Sequence, residues 1–195
     1  MARPRVIDQD DILDAAETVV VRNGAANLTL DAVAIEAAIS KASVIYDYKT
    51  KQQLIKAVIE RRVALGEERI RVAIEEMGAV SSASIRGLIA DASDAEPDDA
   101  RAVAVNLGAA LAQDAELRKP IEDYYQRAIA SVMTTSSSLR GGLLAFLALE
   151  GLRTLEWHDF YSWPDKERHR ILREIAWLVD AVPIPGRIGG AAGQS

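Results

Sequence analysis

Residues 37–54 read Ala37-Ala-Ile-Ser-Lys-Ala-Ser-Val-Ile-Tyr-Asp-Tyr-Lys-Thr-Lys-Gln-Gln-Leu54, and the fold turns on them. Ser40 is a good N-cap for a short helix from Lys41 to Tyr48, because its hydroxyl can accept a backbone N–H that the first turn leaves open. Thr50 caps a longer helix in the same way, and Thr50-x-x-Gln53 has the form of a capping box. A helix that enters the major groove of a duplex needs small or polar residues in its first turn, which Lys41, Ala42 and Ser43 supply. It also needs an apolar back to seat it, and Val44 and Tyr48 stand one turn apart.

Upstream, a first helix runs from about Asp8 or Gln9 to Asn23. Ile12, Ala15, Ala16, Val19 and Val20 recur at helical spacing, and acids sit in the first turn, where the helix dipole favours them. Gly24 stops it. Thr29 caps a second helix that ends near Ala38, with Leu28 and Val33 placed as a hydrophobic staple. Downstream of Thr50, the stripe Leu54, Ile55, Val58, Ile59, Arg62 and Leu65 continues toward Met77, and Gly78 closes it. Three short helices in about 50 residues, followed by a long connecting one, make a helix-turn-helix format.

Beyond Gly78 the periodicity predicts helices at about 82–94, 98–113, 115–136, 139–158 and 165–181. Pro120 either kinks its helix or marks a short preceding turn, whereas Pro164 suits a helix start. The predicted fold is all-α with about nine helices. Its expected parts are a helix-turn-helix domain at 1–50, a helical domain at 51–182 and a Gly- and Pro-containing flexible tail at 183–195.

Composition narrows the function. At 195 residues the chain fits one domain or two small ones, and 49% apolar content is enough for a real core. The absence of cysteine removes disulfides and thiolate chemistry, and two histidines, His158 and His169, make a histidine-built zinc site unpromising, so no metal and no cofactor is expected. The longest apolar run, Leu143 to Leu149, is far short of the roughly 20 residues a membrane span needs, and the charged opening is not a signal peptide. No membrane partner and a cytoplasmic location are expected. The formal charge of −6 is uneven: residues 1–62 are balanced, while 39–62 carry six basic and two acidic residues. A basic patch on an acidic chain suits a polyanion held at one end.

At Ala37 to Leu54 the chain resembles the tetracycline-repressor (TetR) family of bacterial transcription regulators. Their usual pattern is Ala-Gly-Val-Ser, Lys or Arg, a small residue, Thr or Ser, an apolar residue, tyrosine, two variable residues and phenylalanine, before a Ser-Lys-Glu-x-Leu helix start. It aligns here without gaps: Ala38 stands at the glycine, Ile39 at the valine, Tyr48 at the phenylalanine, and Ser40, Lys41, Lys51 and Leu54 match. Ile12-Leu-Asp-Ala-Ala16 looks like the family's first helix. One position departs, because Ile45 stands where the family has a phosphate-contacting tyrosine and Tyr46 follows one place later, about 100° round the helix.

The DNA-binding candidates are Thr29, Ser40, Lys41, Ala42, Ser43, Tyr46, Lys49 and Lys51. Lys41 and Ser43 are the base-edge candidates, with Lys41 on phosphate as the alternative. Thr29 serves as a cap, a phosphate contact or both, and Tyr46 either meets phosphate or packs within the chain. Arg3 and Arg5 could reach a minor groove as an arm.

The resemblance also implies a dimer built by two C-terminal helices. Its candidates are the small residues Gly141, Ala145 and Ala148 with Leu152, Ile171, Ile175 and Leu178. Independently, two reading heads cover half-sites about 34–36 Å apart, which one head cannot. The resemblance further implies a cavity for a small-molecule effector, with Val103, Leu107, Leu111, Tyr124, Tyr125, Phe146 and Trp157 as candidate lining residues, and these favour an apolar or aromatic effector.

The expectation is a ligand-released repressor that binds a near-palindromic operator in double-stranded DNA as a homodimer. An enzyme is disfavoured, since Ser81 and Ser162 lack a strand-to-helix elbow and Glu67-Glu68 and Glu75-Glu76 point different ways on a helix. The rival reading is a helical interaction module that no longer binds DNA, supported by Ile45.

Overall fold

A computed structural model describes residues 8–94 and 98–182. The arm with Arg3 and Arg5 and the tail from Pro183 lie outside these residues. The described residues form nine α-helices: α1 (Gln9–Asn23), α2 (Leu30–Glu36), α3 (Lys41–Asp47), α4 (Lys51–Met77), α5 (Ala83–Ser93), α6 (Asp98–Gln113), α7 (Ala115–Thr135), α8 (Leu139–Trp157) and α9 (Asp165–Leu178). A 3-10 turn, Ala25–Asn27, joins α1 to α2. No strand occurs among the described residues, and no helix of theirs is long and apolar enough to cross a membrane.

The helices begin where local chemistry tells them to. Asp8, Thr29, Ser40 and Thr50 cap α1 to α4, each accepting a backbone N–H in the first turn. The Thr50 capping box is offset by one residue. Gln53 N–H donates to Thr50 Oγ1 at 3.1 Å, but Gln53 Oε1 accepts from the N–H of Lys49 at 2.9 Å instead of from Thr50. Pro120 lies within α7, which continues through it.

Two cores result. The first gathers Ile12, Ala16 and Val20 of α1, Val33 of α2, Val44 of α3 and Leu54 and Val58 of α4. Val103 and Leu107 of α6 and Leu117 of α7 close the same core, so the head is packed against the helices that follow it. Residues on both sides of position 50 therefore share one core. Each fully buried Val, Leu or Ile contributes about 1.5–3 kcal/mol. The second core joins Ile85 and Leu88 of α5, Val132 of α7, Ala145, Phe146 and Leu149 of α8, and Leu172 and Ile175 of α9.

Helix α4 runs between the cores. Its inward stripe ends at Ile59; Leu65, expected to continue it, is exposed. Arg62 turns to Glu17 of α1, and Ile70, on another face, packs against the second core. Asp91 of α5, nearly buried, accepts from Arg69 of α4 at 2.8 Å and from Arg153 of α8 at 3.3 Å. Buried charge needs such pairing.

Candidate nucleic-acid interface

The turn between α2 and α3 sets the geometry of the face. Ala38 adopts φ 53°, the left-handed region. Ala38 N–H donates to Ile35 O at 3.1 Å and Ile39 N–H to Ala34 O at 3.0 Å, the paired bonds of a Schellman ending. This backbone turn brings α3 across the end of α2.

Helix α3 is held from behind. Val44 is fully buried, and Tyr48 packs half-buried against the first core. Burial first, and the nearby Asp47 carboxylate second, push the Tyr48 phenol up from its usual pKa. The front of the helix is open: Ser40, Lys41 and Ala42 are exposed, Ser43 is half-buried, and Tyr46 stands 85% exposed. Ile45, at the family's tyrosine, is 39% exposed. Tyr46 therefore does not pack within the chain, which removes the second of the two readings of that residue.

The polar candidates hold one another in place. Ser40 Oγ accepts from Ser43 N–H at 3.1 Å and lies 2.8 Å from Ser43 Oγ. Lys41 Nζ donates to Asp31 Oδ2 of α2 at 2.7 Å. Thr29 Oγ1 accepts from Ala32 N–H at 3.1 Å, which leaves its hydroxyl proton free to be given elsewhere. Lys49 is exposed at the tip of the α3–α4 turn. Lys51 is half-buried, and its ammonium donates to the main-chain carbonyl of Ala26, tying the start of α4 to the 3-10 turn. Sequence reading placed Lys51 with the phosphate donors and missed this structural task, which joins residues 25 apart.

The seven effector candidates do not line one cavity. Val103, Leu107 and Leu111 belong to the first core or pack against it, while Tyr125 and Phe146 belong with the second, their rings edge to face at 6.4 Å between centroids. Trp157 lies under the Arg153 guanidinium at 5.2 Å. Tyr124 alone among them faces a cleft of about 230 Å³ between α4, α5 and α7, lined also by Glu67, Ile70, Ile74, Leu88 and Arg127. Arg127 donates to Glu67 at 2.7 Å beside this cleft, and burial pushes the Tyr124 phenol above its usual pKa. The Ile70 and Ile74 pair, one turn apart on α4, was the available sign of this lining and was passed over. Most of the seven therefore pack in or against the two cores.

The dimer candidates divide by burial. Gly141, Ala145, Leu152 and Ile175 are buried within the chain itself, and Ala148, Ile171 and Leu178 are half-buried. Gly141 lets α8 approach the end of α9 so closely that an added Cβ would lie 2.5 Å from the carbonyl oxygens of Leu178 and Ala181. At Gly141 the small residue thus serves a contact within one subunit. On the outer faces, Leu144, Leu147, Gly151 and Leu155 of α8 and Trp177 of α9 stand exposed.

Comparison with known proteins agrees with this architecture. A family model described as bacterial regulatory proteins of the tetR family matches residues 12–58, and one described as a tetracyclin repressor-like C-terminal domain matches residues 78–180. Among solved structures, a TetR-family member from Streptomyces coelicolor A3 shares 17% identity at a TM-score of 0.67, covering 86% of this chain and 96% of its own. The multidrug binding protein EbrR complexed with malachite green shares 19% at 0.68, covering 93% and 100%. A protein from Saccharomonospora viridis described as a transcriptional regulator, in complex with choline, shares 16% at 0.66, covering 86% and 94%. These likenesses concern the fold. No curated protein matches the chain.

Proposed function

The chain belongs to the TetR family of bacterial regulatory proteins, and from that premise we propose that it is a repressor that grips a near-palindromic operator as a homodimer and is released by a small molecule. The family's members are DNA-binding transcription factors and not enzymes. The observation that carries the proposal is the outward presentation of α3, with Lys41, Ala42 and Tyr46 exposed above a buried Val44. Thr29, Ser40, Ser43, Lys49 and Lys51 flank this probe as phosphate or base-edge contacts.

One head makes too few contacts for a specific site, so two are needed. The exposed stripe Leu144, Leu147, Gly151 and Leu155 with Trp177 is the surface we assign to the partner subunit. Exposed apolar side chains such as these are costly to leave in water and stabilising to bury.

The effector site is the cleft at Tyr124. Ile70, Ile74 and Leu88 suit an apolar or aromatic body, while Glu67 and Arg127 offer a polar end. About 230 Å³ lies below the roughly 300–1,000 Å³ of drug-sized pockets, so the ligand is small or parts the helices as it enters. Relatives of the same fold hold malachite green and choline, which supports a small-molecule effector. Helix α4 links this cleft to the head, and a ligand shifts the spacing of the heads only if it binds two arrangements of α4 with different affinity.

The test is capture of genomic DNA fragments by the purified protein, followed by footprinting of the enriched site. Two protected half-sites, centred one helical turn or a whole number of turns apart, are expected. Failure to enrich any fragment in low salt contradicts the proposal.

A further inference from the structure

The ion pair between Asp31 and Lys41 sits on the outer face of the head, its side chains 61% and 52% exposed, and joins the first turn of α2 to the first residue of α3. An exposed pair of this kind contributes only about 0–1 kcal/mol to folding, so it does not hold the two helices together. A helix dipole accounts for an acid in the first turn of α2, but not for a carboxylate placed 2.7 Å from a candidate reading lysine. A negative charge at a surface meant for phosphate weakens general DNA binding, and that loss requires a return in discrimination.

The edge of a G·C pair in the major groove supplies one. Guanine presents the acceptors N7 and O6, and cytosine presents the N4 donor beside them. O6 and N4 are hydrogen-bonded to each other across the pair, so the pair offers an acceptor and a donor at about the spacing that separates Lys41 Nζ from Asp31 Oδ2. We infer that Asp31 is a specificity-determining residue: Lys41 donates to guanine O6 and N7 while Asp31 accepts from the cytosine amino group of the same base pair. The two side chains are already assembled in the free protein, which lowers the cost of ordering them on DNA. An A·T pair in that place gives the lysine one purine acceptor in place of two and sets an amino group against its ammonium. This inference rests on the DNA-binding reading above.

The experiment is selection from randomised duplexes with the full chain, its Asp31→Ala and Asp31→Asn variants, and Lys41→Ala, each checked for an unchanged melting temperature. The wild type is expected to enrich a near-palindrome with one strongly preferred G·C pair in each half-site. Asp31→Ala should keep the rest of the motif, lose about tenfold or more in discrimination at that pair, and bind unrelated DNA more tightly. Asp31→Asn, whose amide both donates and accepts, should relax the same pair. An Asp31→Ala motif identical to the wild type overturns the inference and leaves the DNA-binding reading standing. A wild type that enriches no sequence overturns both.

Discussion

Arg61 of α4 sets its guanidinium 2.7 Å from Glu17 of α1, where a tenth of the acid's side-chain surface remains exposed. Arg62 pairs with the same carboxylate, and Arg61 also donates to Asp14 at 2.7 Å. The first helix of the head is thus clamped to the helix that borders the cleft at Tyr124. Glu17→Ala removes the carboxylate that both arginines share in a poorly hydrated place. Removing one member of a fully buried pair costs about 3–5 kcal/mol, and this partly hydrated one about 2–3 kcal/mol. At this chain length that lowers the Tm by about 4–12 °C, read by thermal denaturation. A Tm unchanged by the substitution contradicts the clamp.

Ala38 occupies a left-handed conformation that costs an L side chain about 1–2 kcal/mol. Ala38→Gly removes that strain while adding freedom to the unfolded chain, for a net gain of about 0.5–1 kcal/mol. Ala38 is exposed, so no packing is lost. Chemical denaturation should show a higher midpoint for Ala38→Gly and a lower one for the β-branched Ala38→Val.

Much of the fold is legible in short windows, because caps act within one turn: Asp8, Thr29, Ser40 and Thr50 each stand where a helix begins. The outward face of α3 is legible too, since Val44 and Tyr48 mark its back. What escaped depends on distant partners. Nothing beside Glu17 in the sequence marks it as paired, because the arginines that bury it lie more than forty residues away. Helix α8 is apolar nearly all round, with Leu143, Leu144, Phe146, Leu147 and Leu149 in a single run, so no polar side announces which face is outward. That is why the sequence does not tell a small residue that faces a partner from one, such as Gly141, that seats the end of α9.

On the proposed dimer, the two faces of α8 should separate assembly from stability. Leu147, 57% exposed, lies on the surface assigned to the partner, and Leu147→Glu should convert a dimer into a folded monomer in sedimentation or light scattering. Leu152 is buried in the second core, and Leu152→Ala should cost about 2–4 kcal/mol while the dimer persists. The opposite pattern contradicts the assignment.

Burial raises the phenols of Tyr48, Tyr124 and Tyr125, and Glu150, which accepts from the Tyr125 hydroxyl at 2.7 Å, adds to the effect at Tyr125. Each folded-state pKa lies above its unfolded value, so the folded chain holds these protons longer. Their contribution to stability is complete below about pH 10 and is lost as the pH rises from there through the folded-state values. Alkaline titration of phenolate absorbance should show three late tyrosines that titrate normally once the chain is unfolded. Tyr125→Phe should lessen the fall in stability above pH 10.

Whether the α3 face meets a duplex is measured most directly by the dependence of DNA affinity on salt. Log K against log salt should fall steeply for the wild type, with a slope of about −0.9 for each phosphate neutralised. Lys49→Ala should weaken binding to all sequences alike and flatten the slope by about one for each subunit engaged. A wild-type slope near zero, or a Lys49→Ala protein with unchanged affinity and slope, contradicts a duplex at that face.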